Sequence, residues 1–177
     1  QTCGLPAVPH AARIVDWLQH NQEQLGKIID SDLHTEHQLV LDLGVGSQLL
    51  GGDGEGENPA ALTTHIFQHM QTAGVQVAIG RYNEARLFYS AGQFEVPTDE
   101  IPERRSIHLG MDLYMQSGAA IYAPLAGKVH SFRNNSEHLD YGPTIVLEHQ
   151  TRDDHTFYTL YGHLSSNSLQ GLSVGAP

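Results

Sequence analysis

The sequence predicts an α+β chain, with a small N-terminal α/β region over residues 1–100 and a β-rich region over 101–177. Three observations carry that expectation. Apolar residues recur at helical spacing twice in the first half. The stretch from Glu95 to Arg105 holds two prolines and six charged residues, the make-up of a linker. Beyond it, short runs rich in β-branched and aromatic residues alternate with polar turns.

The elements follow in order. Pro9 suits a first helical position, and Ile14, Trp17, Leu18, Leu25 and Ile28 keep one face, so a helix is predicted over about 9–29. Residues 37–44 read as a strand with the apolar content of a buried one. Residues 51–57 form an acidic, glycine-rich turn whose charge has the wrong sign for a phosphate cradle. A second helix is signalled at both ends. Asn58 caps it, Pro59 suits its first turn, Gly74 follows its last periodic residue, and Leu62, Ile66, Met70 and Ala73 make its stripe. Strands are predicted over 75–79 and 86–90 around a turn at 81–84, then over 120–123, 127–132, 144–149 and 156–164. There is no internal repeat.

Composition narrows the function. With 40% hydrophobic and 16% charged residues, the 177-residue chain has the balance of a folded protein. A net charge of −11 with only nine Lys and Arg argues against nucleic acid as a partner, since phosphate binding needs clustered cations. No apolar run reaches the roughly 18–20 residues of a membrane-spanning helix, so no membrane partner is expected. The N-terminal residues lack the regions of a secretory signal, and the single Cys3 cannot form an internal disulfide. A cytoplasmic chain is expected, or one excised from a longer protein; removal of a signal peptide would make it extracytoplasmic.

Twelve histidines direct attention to metal chemistry. His108 and Asp112 are four residues apart in His-Leu-Gly-Met-Asp. In an extended strand their α-carbons would lie roughly 13 Å apart, too far to share a metal through bonds of about 2 Å. They converge only if the chain bends, and Gly110 is midway between them. The plain alternative is a surface pair in a turn. His65 and His69 have zincin spacing, but Ile66 stands where the glutamate base should follow, and the helix needs a polar face there. His130 and His155 read as exposed strand residues, and His138 lies beside a strand. Asn134-Asn135-Ser136 matches a glycosylation sequon, a frequent chance match.

The motif order then resembles a family. His108-Leu109-Gly110-Met111-Asp112, Ala123-Pro124, Gly127-Lys128-Val129, Tyr141-Gly142, a strand over 145–149 and Tyr161-Gly162-His163-Leu164-Ser165 follow one another as in lysostaphin-type zinc metallopeptidases, which are peptidoglycan endopeptidase-like enzymes. The resemblance implies an antiparallel sheet around a groove and one zinc ion. It makes His108 and Asp112 two of three protein ligands and His163 a catalytic histidine beside the metal. His149 falls where the family often ends a strand with histidine, as a residue lining the site. The third ligand would come from a later His-x-His, which this sequence does not contain, so the zinc site is expected to be incomplete at its C-terminal end. The implied substrate is a peptide or a peptidoglycan-like cross-bridge. A second resemblance is to proteins in which such a domain sits between a small-molecule kinase and a class III aminotransferase. It implies further domains in a longer parent chain and argues against a peptidoglycan substrate. The competing expectation is a degenerate, non-hydrolytic module that binds or scaffolds.

Overall fold

The computed structural model describes residues 8–50, 58–86, 95–96, 103–104, 106–137 and 139–177. The chain is mixed α+β and rich in strands, as the sequence predicts. It forms two compact units, one made of residues 1–28 and 121–177 and the other of residues 29–120.

In the unit of residues 29–120, strand β1 (Leu39–Leu41) leads through helix α2 (Pro59–Ala73) to strand β2 (Ala78–Gly80), which runs parallel to β1. Asn58 Oδ1 accepts the amides of Ala60 and Ala61 at 3.0 and 3.4 Å, and Gly74 closes the helix in the left-handed region at φ 67°. Both ends therefore stand where the cap residues predict them. Ile66 and Met70 pack with Leu41, Leu43, Val75 and Ala78, and Leu62 and Phe67 lean on that core. Each such aliphatic burial contributes roughly 1.5–3 kcal/mol. Ala73, assigned to the stripe, is exposed instead, and Phe67 takes part in its place. Strand β1 is shorter than predicted and not buried throughout. Val40 is 63% exposed because it points to the face opposite Leu39 and Leu41, which pack in the core.

The predicted turn at 81–84 is tighter than expected. Asn83 has φ 56°, and Glu84 already belongs to strand β3 (Glu84–Ala85). Of the strand predicted over 86–90, residues 87–90 lie outside the described residues, as does the acidic turn at 51–57. The segment read as a linker contains a short antiparallel pair, β4 (Glu95–Val96) with β5 (Glu103–Arg104). Strand β6 (Ile107–His108) pairs antiparallel with β3, and strand β7 (Asp112–Tyr114) pairs antiparallel with β2.

In the other unit, helix α1 covers only Ala11–His20 and not the predicted 9–29. Pro9 lies before it, and at its end Asn21 turns back, its side-chain amide donating to the Trp17 carbonyl at 2.8 Å. A short 3₁₀ turn (Gln22–Gln24) follows. Residues 120–123 form no strand; the Tyr122 amide donates to the Ile28 carbonyl at 2.9 Å. Strands β8 (Lys128–Asn135), β9 (Gly142–Gln150) and β10 (Thr156–Tyr161) make an antiparallel sheet in the order β10-β9-β8, with a bulge between Val129 and Ser131. Near the end of the chain, Gly175 and Ala176 exchange backbone hydrogen bonds with Val129. Trp17 of α1 faces Phe157 of β10 with ring centroids 6.2 Å apart.

Candidate metal pair and catalytic histidine

Strands β6 and β7 follow one another, yet they pair with different partners. Residues 81–83 interrupt one side of the ladder, and residues 109–111 interrupt the other at the same level. This paired break supplies the bend that the sequence requires between His108 and Asp112. His108 Nε2 then stands 3.5 Å from Asp112 Oδ1. A Cβ at Gly110 would lie 3.0 Å from His108 Nε2, so a larger residue there would press on the imidazole and shift it.

The pair sits at the end of a chain of charged groups, of which Arg86 and Glu84 are buried. Arg86 Nη1 donates to Asp112 Oδ2 at 2.7 Å, and Arg86 Nε donates to Glu84 Oε2 at 3.0 Å. The other Glu84 oxygen, Oε1, accepts the Leu43 amide at 3.0 Å and Arg81 Nε at 2.9 Å. Arg81 in turn pairs with Asp42. Tyr114 donates a longer hydrogen bond, 3.4 Å, to Asp112 Oδ2. The side chains of Arg86 and Glu84 are 3% and 4% exposed, whereas His108 and Asp112 keep 15% and 26%. The supporting groups are therefore dry and the pair itself is open to a ligand.

The electrostatics follow from that arrangement. Burial pushes the His108 pKa below the ordinary histidine value; the Asp112 carboxylate opposes this and the Arg86 guanidinium adds to it. Burial also works against the charge on Arg86, but the Asp112 and Glu84 carboxylates outweigh it and raise its pKa. Burial and the Asp112 charge both push the Tyr114 hydroxyl upward, so it remains a donor.

The donor set fits two positions of a zinc site. Ligand atoms about 2.0–2.1 Å from a tetrahedral zinc stand roughly 3.3–3.4 Å from each other, close to the spacing of His108 Nε2 and Asp112 Oδ1. Among the described residues, no group of three or more His, Cys, Asp and Glu side chains could hold a metal ion.

His163 belongs to the other compact unit. It follows β10 at a turn in which its amide donates to the Tyr141 carbonyl at 2.7 Å and the Leu164 amide donates to the Pro143 carbonyl at 3.0 Å. These bonds hold His163 at φ 55°. Its ring is exposed and tilted 51° to that of Tyr141, with centroids 6.2 Å apart. The strand predicted over 156–164 therefore stops at Tyr161.

Residues 106–176 match the profile of peptidase family M23. This segment belongs to peptidase family M23. No curated protein and no solved structure matches the chain significantly. The M23 segment contains His108, Asp112 and His163, but its boundary excludes Arg81, Glu84 and Arg86. No spacing in the sequence pointed to those three, because Arg86 meets Asp112, and Glu84 and Arg81 stand behind Arg86, only once β2 pairs with β7 and β3 with β6.

Two further histidines of the M23 segment, His149 and His155, have structural surroundings. His149, expected to line a site, is 2% exposed. Its Nδ1 lies 2.9 Å from the Ala126 carbonyl, its Nε2 lies 2.8 Å from Thr159 Oγ1, and its ring stacks on Phe157. A carbonyl can only accept, so Nδ1 carries a proton. His155, expected to be exposed, is half-buried and stacks on His10 at 4.5 Å. His130 is exposed, as expected. His138 lies outside the described residues. His69 is exposed and His65 half-buried on α2.

Proposed function

We propose that the chain carries a zinc-dependent peptidase domain of the lysostaphin type, which hydrolyses a peptide bond. One observation supports this above the rest: His108 Nε2 and Asp112 Oδ1 lie 3.5 Å apart, partly open, within an M23 segment. His108 and Asp112 would hold the metal. When bound, zinc supplies Lewis acidity, which activates water and polarises a carbonyl. Asp112 offers one oxygen to the ligand and keeps the other on Arg86. His163, with an exposed ring on a backbone pinned by two hydrogen bonds, takes a proton on an imidazole nitrogen and returns it to the leaving amine. The substrate is a peptide or a peptidoglycan-like cross-bridge.

The test is zinc content after dialysis, measured on this chain and on His108→Ala, together with cleavage of a glycine-rich peptide. The expected result is bound zinc that the substitution removes, with a ligand beyond His108 and Asp112 completing the site, and cleavage abolished by a chelator and by His163→Ala. A native chain that retains no zinc sinks the peptidase reading and favours a non-hydrolytic binding module.

A further inference from the structure

Asp112 has two carboxylate oxygens, and the structure gives them different tasks. Oδ2 accepts Arg86 Nη1 at 2.7 Å, while Oδ1 faces His108 Nε2 at 3.5 Å. The guanidinium is itself fixed on its other edge, with Nε on Glu84 Oε2 at 3.0 Å. Glu84 is anchored by the Leu43 amide and by Arg81. A planar fork that bonds two carboxylates at once leaves neither free to rotate. Gly80 makes room for this: a Cβ there would lie 3.0 Å from Arg86 Nη2 and 3.1 Å from Asp112 Oδ2.

From this geometry we infer that Arg86, held by Glu84, is a positioning residue that turns Asp112 so that a single oxygen, Oδ1, is presented beside His108 to a divalent metal ion. The inference rests on the zinc reading above and adds residues outside the M23 segment to the site. Lysine at position 86 keeps the positive charge but cannot bridge both carboxylates, so Asp112 is held only by the longer hydrogen bond from Tyr114. A purely structural Arg86 would change the stability of the fold without changing metal affinity, because its other role is to neutralise buried Glu84.

The experiment measures zinc affinity of the chelator-stripped chain by competition with a chromophoric chelator, alongside the melting temperature without metal. Native chain, R86K, E84Q and N58A are compared. N58A removes the α2 cap, far along the sequence from the site, and shows whether lost stability alone moves affinity. The expected result is zinc binding weakened about 10–100-fold in R86K, the usual cost of disturbing a group that orients a ligand. A smaller loss is expected in E84Q, and native affinity in N58A. Equal affinity in native chain and folded R86K overturns the inference while leaving the zinc reading intact. Should R86K not fold, unchanged affinity in E84Q overturns it. A native chain that binds no zinc overturns the zinc reading and this inference with it.

Discussion

His163 pays for its position in backbone energy. A non-glycine residue in the left-handed region costs roughly 1–2 kcal/mol, and His163 is held there at φ 55°. Glycine would relieve this but would lose roughly 0.5–1 kcal/mol to its freedom in the unfolded chain. His163→Gly should therefore melt higher than His163→Ala, with cleavage lost in both. Equal melting temperatures would show that the turn stores no such strain. For His108 the sign of the pH effect is fixed by burial, which lowers its pKa. Below about pH 6.5 the unfolded chain binds the proton more readily than the folded one, so stability falls as pH drops towards the lowered folded pKa. Melting of the metal-free protein between pH 7 and 5 should show this, and His108→Gln should lose less stability over the same range. His108, Asp112 and His163 could be singled out as candidates in the sequence because they sit within ordered motifs. Arg86 and Glu84 could not, since a charged residue carries no mark of the partner that buries it.

At the scale of elements, what could be read was local. Helix α2 announced itself through Asn58, Pro59, Gly74 and an apolar stripe, all within seventeen residues of one another. Strands β8, β9 and β10 could be read from β-branched and aromatic runs between polar turns, whereas their antiparallel pairing was what the family resemblance implied. Strands β6 and β7 could not, because two or three residues are too few to show a period and their partners β3 and β2 are distant in sequence. The same holds for β4 and β5, which pair inside a stretch of linker composition. Between β2 and β7 the register places Gly80 opposite Asp112. Gly80→Ala would press a methyl group against Arg86 and Asp112 and should destabilise the fold by about 1–3 kcal/mol, read from urea unfolding. No change in stability would mean that the charged pair can move aside.

At the scale of the whole molecule, the M23 segment is not self-sufficient. Its first strands, β6 and β7, lean on β3 and β2, which precede it in the chain. A fragment of residues 106–177 would lose Gly80, Glu84 and Arg86 along with both pairing partners. It should therefore bind zinc at least about 10-fold more weakly than the full chain, a difference that titration of both proteins would measure. Equal affinity would show that the motif organises itself.

The break in the ladder between β6 and β7 should also set how readily each residue of the pair opens to solvent. Asp112 heads a strand paired beside the apolar core, whereas His108 ends a two-residue strand paired with β3. Amides around His108 should thus exchange with solvent through small local openings, and those of β7 only through larger ones. A metal held by both residues ties the loose strand to the firm one. At a free zinc concentration 100 times its dissociation constant, openings that separate the pair become about 100-fold rarer. The ion would act as a clasp on the edge of the fold, and its loss would register first as faster exchange at Ile107 and His108.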